Sequence, residues 1–167
     1  MVDILVLGVI TAVFGVVFYA MWSVYYAVKA VGGPIIARLV TYGVWFMPAP
    51  LAASIIRKKG SAFLGEFLPA FLEAILPTVG GVTNIYYGLG QGLFSELVYL
   101  ARRYRKYGLI EAGLASALPA IPAVTLDAIL FGDIYPVNEM LLIIIAIAIS
   151  GFIYGVIAYY ISKTIRK

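Results

Sequence analysis

The chain has 167 residues, no cysteine and no histidine, with 63% hydrophobic and only 12% charged residues and a formal net charge of +4. Soluble domains carry roughly a quarter charged residues, so this is the composition of an integral membrane protein. The missing thiols and imidazoles exclude disulfide frameworks, Cys or His zinc sites and Ser-His-Asp triads, and the basic residues sit in short loops, where they read as topology rather than nucleic-acid binding.

A helix rises about 1.5 Å per residue, so about 20 apolar residues cross a bilayer. The first run, residues 4–28, meets that length with no charge between Asp3 and Lys29. It has no basic n-region and exceeds a signal-peptide h-region, so it is expected to remain as a span. Gly8, Ala12 and Gly15 are small residues at helical spacing, suited to internal packing or to docking on another membrane subunit. Trp22, Tyr25 and Tyr26 near its far end suit an interfacial belt.

Gly32-Gly33-Pro34 is expected to turn the chain. The second span covers 35–56. Arg38 near its start can snorkel, Trp45 and Phe46 fall near mid-depth, and Pro48 and Pro50 should break the helix. The third span, 61–76, is short and places Glu66 and Glu73 on one face. The fourth, 83–101, carries Asn84, Gly88, Gln91 and Ser95 on another single face, with Glu96 beside it. The fifth, 109–131, holds Pro119, Pro122 and Asp127. The sixth, 140–161, is the most uniformly apolar.

Six spans put both termini on one side, within a single domain over 1–167. That side carries ten of the twelve Lys and Arg residues, against Lys29 and Arg38 on the other. The positive-inside rule therefore predicts cytoplasmic termini. No internal repeat supports an inverted-repeat carrier.

Buried polar groups cost several kcal/mol unless satisfied. The topology sorts them into two layers. Glu66 and Glu96 lie toward the basic loops, where nearby Arg and Lys can pair with them and pin helix ends. Glu73, Asn84, Tyr87, Gln91 and Asp127 lie in the outer half, where Arg38 is the one candidate countercharge. An unpaired buried carboxylate takes up a proton or meets a cation. Acids among aromatic rings suit a flat cationic ligand, and a carboxylate can accept paired N–H bonds from an aminopyrimidine.

Several of these residues fall in a familiar order. Trp45-Phe46, then Pro48-x-x-Leu51-Ala52-Ala53-x-Ile55-Ile56-Arg57-Lys58, Gly60-x-Ala62-Phe63, Glu66, Glu73-Ala74, and Tyr87-Gly88-Leu89-Gly90-Gln91-Gly92-Leu93-x-x-Glu96-Leu97 resemble the YkoE-type substrate-binding (S) component of energy-coupling factor (ECF) transporters. The turn at Thr78-Val79-Gly80-Gly81 departs from a Trp-Gly-type turn expected in relatives. The resemblance implies an all-α bundle of six transmembrane helices in the plasma membrane. It implies capture of thiamine or its hydroxymethylpyrimidine precursor, a transmembrane coupling (T) subunit, and two ABC-type ATPases. It also implies that the small face of Gly8, Ala12 and Gly15 docks the coupling subunit.

On that reading Glu73 and Gln91 are polar anchors, and Trp45 and Tyr87 are stacking or cation–π walls. Asn84 is a further hydrogen-bonding group and Asp127 a further charge partner, while Glu66 and Glu96 support the inner layer. No metal or cofactor is expected. The chain has no Walker A pattern, so ATP hydrolysis would belong to partner subunits and the chain itself would not be an enzyme. The rivals are an autonomous proton-coupled carrier of organic cations, using Glu73 or Glu96, and a non-transporting scaffold subunit.

Overall fold

The structure is a computed structural model describing residues 2–166; Met1 and Lys167, the last of the ten basic residues counted above, lie outside the described residues. The described elements are all helices: α1 (Val2–Phe46), α2 (Pro48–Ile56), α3 (Ser61–Ile75), α4 (Thr83–Ala101), α5 (Leu109–Ala117), α6 (Ala120–Phe131) and α7 (Val137–Ile165).

α1 is a hairpin. A straight helix would hold Trp22 and Trp45 about 34 Å apart, yet their rings lie 5.5 Å apart. The reversal sits at Gly33, with φ 80° and ψ 176°. That conformation is reserved in practice for glycine. Pro34 then opens the returning limb, as proline does at a first helical position. About one turn beyond Gly43 the helix breaks at Met47, before Pro48 and Pro50, and restarts as α2. Pro119 likewise separates α5 from α6.

Three stretches are long and apolar enough to cross a membrane: Val2–Ile56, Leu109–Phe131 and Val137–Ile165. α3 and α4 are shorter or more polar, and they pack chiefly on each other, with α1 and α2 covering α3. A Cβ on Gly88 of α4 would stand 2.7 Å from Ala70 Cβ of α3, so this close approach depends on glycine. The buried face of α3 runs through Ala62, Gly65, Glu66, Pro69, Ala70 and Glu73. The two glutamates do share one face, as their spacing predicts.

Two expectations change. The small-residue face expected to dock a coupling subunit divides. Gly8 has no atom within 4 Å of its Cβ position and Ala12 is exposed. Gly15 instead packs inward, with its Cβ position 2.6 Å from Leu72 Cδ2. A residue at i+3 from Ala12 has rotated onto the side that meets α3.

The inner carboxylates also differ from expectation, because neither pairs with a base among the described residues. Glu96 accepts the N–H groups of Gly60, Ala62 and Phe63 at 2.6, 3.0 and 3.0 Å. It thus satisfies the open N-terminus of α3 from the neighbouring helix. Glu66 is fully buried and both its oxygens lack a hydrogen-bond partner. The bases it was expected to meet are engaged nearer the surface. Lys58 pairs with Asp3, Arg102 with Glu111, and Arg57 donates to Ser54 O.

Candidate functional site

The limbs of α1 and helices α3, α4 and α6 enclose a cavity of about 180 Å³. A single water needs roughly 10–15 Å³ of such room, so this space suits a small heterocyclic molecule. The first limb contributes Trp22, Tyr25 and Tyr26; the second contributes Tyr42 and Trp45. Glu73 comes from α3, and Asn84, Tyr87 and Gln91 from α4. Asp127 and Phe131 come from α6, with Lys29 and Asp133 at the connections.

The aromatic wall follows from the hairpin. Trp22 and Trp45 stand eleven and twelve residues either side of Gly33, so the fold-back brings them level. Tyr25 and Tyr42, at eight and nine residues, meet one turn nearer the bend, with centroids 6.2 Å apart. Trp22 also stacks on Tyr26 at 6.1 Å and Tyr42 lies edge-on to Trp45 at 5.6 Å.

Each sequence-predicted ligand residue, Glu73, Gln91, Trp45, Tyr87, Asn84 and Asp127, lines this one cavity. Their hydrogen bonding divides them. Glu73 is 3% exposed and accepts one hydrogen bond, from Trp22 Nε1 to Oε1 at 2.7 Å. It has no cationic partner among the described residues. Gln91 makes no side-chain hydrogen bond among them either. Asn84 is tied back, donating from Nδ2 to Thr78 Oγ1 at 3.1 Å.

Asp127 is held on both oxygens. Tyr87 donates to Oδ1 at 2.6 Å, and Tyr42 to Oδ2 at 2.7 Å. Arg38 Nη2 adds a contact to Oδ2 at 3.4 Å and bonds Asp133 Oδ2 at 2.6 Å. Arg38 therefore does not snorkel: it is 1% exposed, between the rings of Tyr42 and Tyr135 at 5.9 and 5.6 Å. Two acids from α6 and its following loop recapture it, which removes the reason to reach for water.

Comparison with known proteins bears on the fold and the family. The family described as ABC-type cobalt transport system, permease component, matches residues 2–122. The Bacillus subtilis (strain 168) protein named as the HMP/thiamine permease YkoE is 31% identical over 150 residues, 89% of this chain and 75% of that protein. A solved S component of an ECF transporter superposes with a TM-score of 0.91 at 29% identity, over 99% of this chain and 84% of that one. The chain belongs to the YkoE-type S components of ECF transporters. An S component is a substrate-binding membrane subunit and not an enzyme.

Sequence reasoning left several cavity residues of this S component elsewhere. The sequence reads Trp22, Tyr25 and Tyr26 as an interfacial belt, Lys29 as a topology signal and Asp133 as part of a turn, and it does not single out Tyr42; the countercharge expected of Arg38 is found, at Asp127. The signal for the aromatics was present in their near-equal distances from Gly33. Using it requires a tight hairpin with no intervening loop. Nothing local marks Asp133, which reaches Arg38 only because Gly132 closes α6 with a left-handed turn (φ 69°).

Proposed function

We propose that this S component captures thiamine or its hydroxymethylpyrimidine precursor from outside the cell, for import driven by a coupling subunit and two ABC-type ATPases. It does so as one six-span domain of the plasma membrane with both termini in the cytoplasm. The ten-to-two division of Lys and Arg supports that orientation.

The observation that carries the reading is Glu73. A buried carboxylate with no cationic partner among the described residues, in a cavity walled by Trp22 and Trp45, calls for a flat ligand that brings positive charge or N–H donors. Thiamine has both a thiazolium and an aminopyrimidine; the precursor has the aminopyrimidine. Trp45 and Tyr87 would wall the ligand, Gln91 would hydrogen-bond it, and Asn84 and Asp127 would shape the far side. The name of the Bacillus subtilis relative supports the same substrate class. Cobalt, in the family description, fits this cavity less well. The chain has no His or Cys, and no group of three or more metal-ligating side chains occurs among the described residues. Gly8 and Ala12, open on the first limb, would dock the coupling subunit.

Calorimetry of the detergent-solubilised protein with thiamine, hydroxymethylpyrimidine and riboflavin tests this. Thiamine or the precursor should bind and riboflavin should not; binding of riboflavin alone would sink the assignment. The buried, unpartnered Glu66 keeps one rival alive, a proton-coupled carrier. In liposomes without partner subunits, uptake driven by a pH gradient would favour that rival.

A further inference from the structure

We propose, building on the cavity's reading as a cation site, that Arg38 sets the charge of the ligand. By neutralising Asp127 it leaves Glu73 as the uncompensated carboxylate lining the cavity, so among flat aromatic ligands without N–H donors the cavity prefers one with a single positive charge and holds that charge at Glu73.

Three charged side chains here are more than nine-tenths buried: Glu73 at 3% and Asp127 at 6% exposure, which line the cavity, and Arg38 at 1%, which contacts Asp127. Their formal charges sum to minus one. The remainder is localised, because Asp127 already receives donors on both oxygens while Glu73 receives one, from Trp22. At the mouth, Asp133 and Lys29 carry opposite charges and are partly solvated, so screening weakens their effect. A neutral ligand without N–H donors would leave Glu73 uncompensated. A dication would bring in a second charge without a partner. Both mismatches are costly at low dielectric.

The chemistry of Arg38 favours a charge role over a strut. Its Nε and Nη1 are buried without hydrogen bonds, and unpaired buried donors destabilise. A neutral amide could bridge Asp127 and Asp133 with fewer stranded N–H groups. What arginine adds is a permanent positive charge, steadied between the rings of Tyr42 and Tyr135.

The test uses calorimetry of the purified full chain at pH 8 with quinoline, N-methylquinolinium and methyl viologen, flat aromatics of charge zero, one and two. The wild type should bind N-methylquinolinium at least about tenfold tighter than either other compound. Arg38→Gln frees the charge of Asp127 and should move the preference toward methyl viologen by about tenfold. The double variant Arg38→Gln/Asp127→Asn should restore the wild-type order, which a merely structural role for Arg38 does not predict. Should Arg38→Gln not fold, Asp127→Asn alone brings the buried sum to zero and should shift preference toward quinoline. Equal binding of quinoline and its methyl cation by the wild type overturns the proposal. So does an unchanged ranking in the variants. Thiamine and hydroxymethylpyrimidine run alongside: if neither binds, the vitamin assignment falls while the charge ranking stands on its own.

Discussion

The indole N–H of Trp22 donates to Glu73 Oε1 at 2.7 Å, tying the first limb of α1 to α3 across 51 residues of sequence. It orients a carboxylate that, among the described residues, no base neutralises and whose other oxygen receives no donor. The same indole stacks on Tyr26 and leans on Trp45. One side chain thus both walls the cavity and aims its acid.

Glu73→Gln should weaken thiamine binding at least about tenfold, or ~1.4 kcal/mol, with the melting temperature maintained or raised because a buried charge is removed. Titration calorimetry and a thermal melt on the same preparation check this. An unchanged affinity takes Glu73 out of the ligand site.

Trp22→Phe keeps a ring in the wall and deletes its hydrogen bond to a charged acceptor. Such bonds contribute about 1.5–3 kcal/mol, shared here between fold and ligand, so affinity should drop roughly tenfold. Trp22 and Trp45 are the two tryptophans of the chain, and both line the cavity. Ligand should therefore change intrinsic fluorescence in the wild type and in either single Trp→Phe variant. A silent signal in all three places the ligand elsewhere.

Glu96 serves three N–H groups at the start of α3. Its removal resembles loss of a helix cap, which costs about 0.5–2 kcal/mol. Glu96→Ala should lower the melting temperature, while ligand affinity stays within about threefold, a change of under ~0.7 kcal/mol. If affinity collapses with stability intact, Glu96 belongs to transport chemistry, as one of the two carboxylates, with Glu73, that the carrier hypothesis names.

Gly15 and Gly8 separate packing from docking on the same helix. Gly15→Val must displace Leu72 and should destabilise the isolated protein by about 1–3 kcal/mol, the usual cost of overpacking. Gly8→Val meets open space and should change stability by less than about 0.5 kcal/mol, yet impair co-purification with the coupling subunit. Normal complex formation by Gly8→Val would move the docking face off this part of the helix.

Membrane class and helical legs were legible because composition and apolar run length are local properties of a chain in lipid. So were the interruptions at Gly33 and Pro48, where backbone chemistry acts within a residue or two; the break at Pro119 falls inside a run the sequence presents as one span. The shared faces of Glu66 with Glu73, and of Asn84 with Gln91, followed from helical period. What those faces meet was not local. Periodicity gives a helix a side but not its rotation against a neighbour. Only packing decided that Gly15 turns to Leu72, that Arg38 crosses to Asp133 of the loop after α6, and that Glu96 caps α3 instead of pairing with a base. The sequence by itself determined that unpaired acids lie among aromatics in a membrane bundle. The tertiary structure decided which acid stays unpaired, because charge neutralisation depends on contacts between helices far apart in the chain: Asp127 gains Arg38, and Glu73 gains only Trp22.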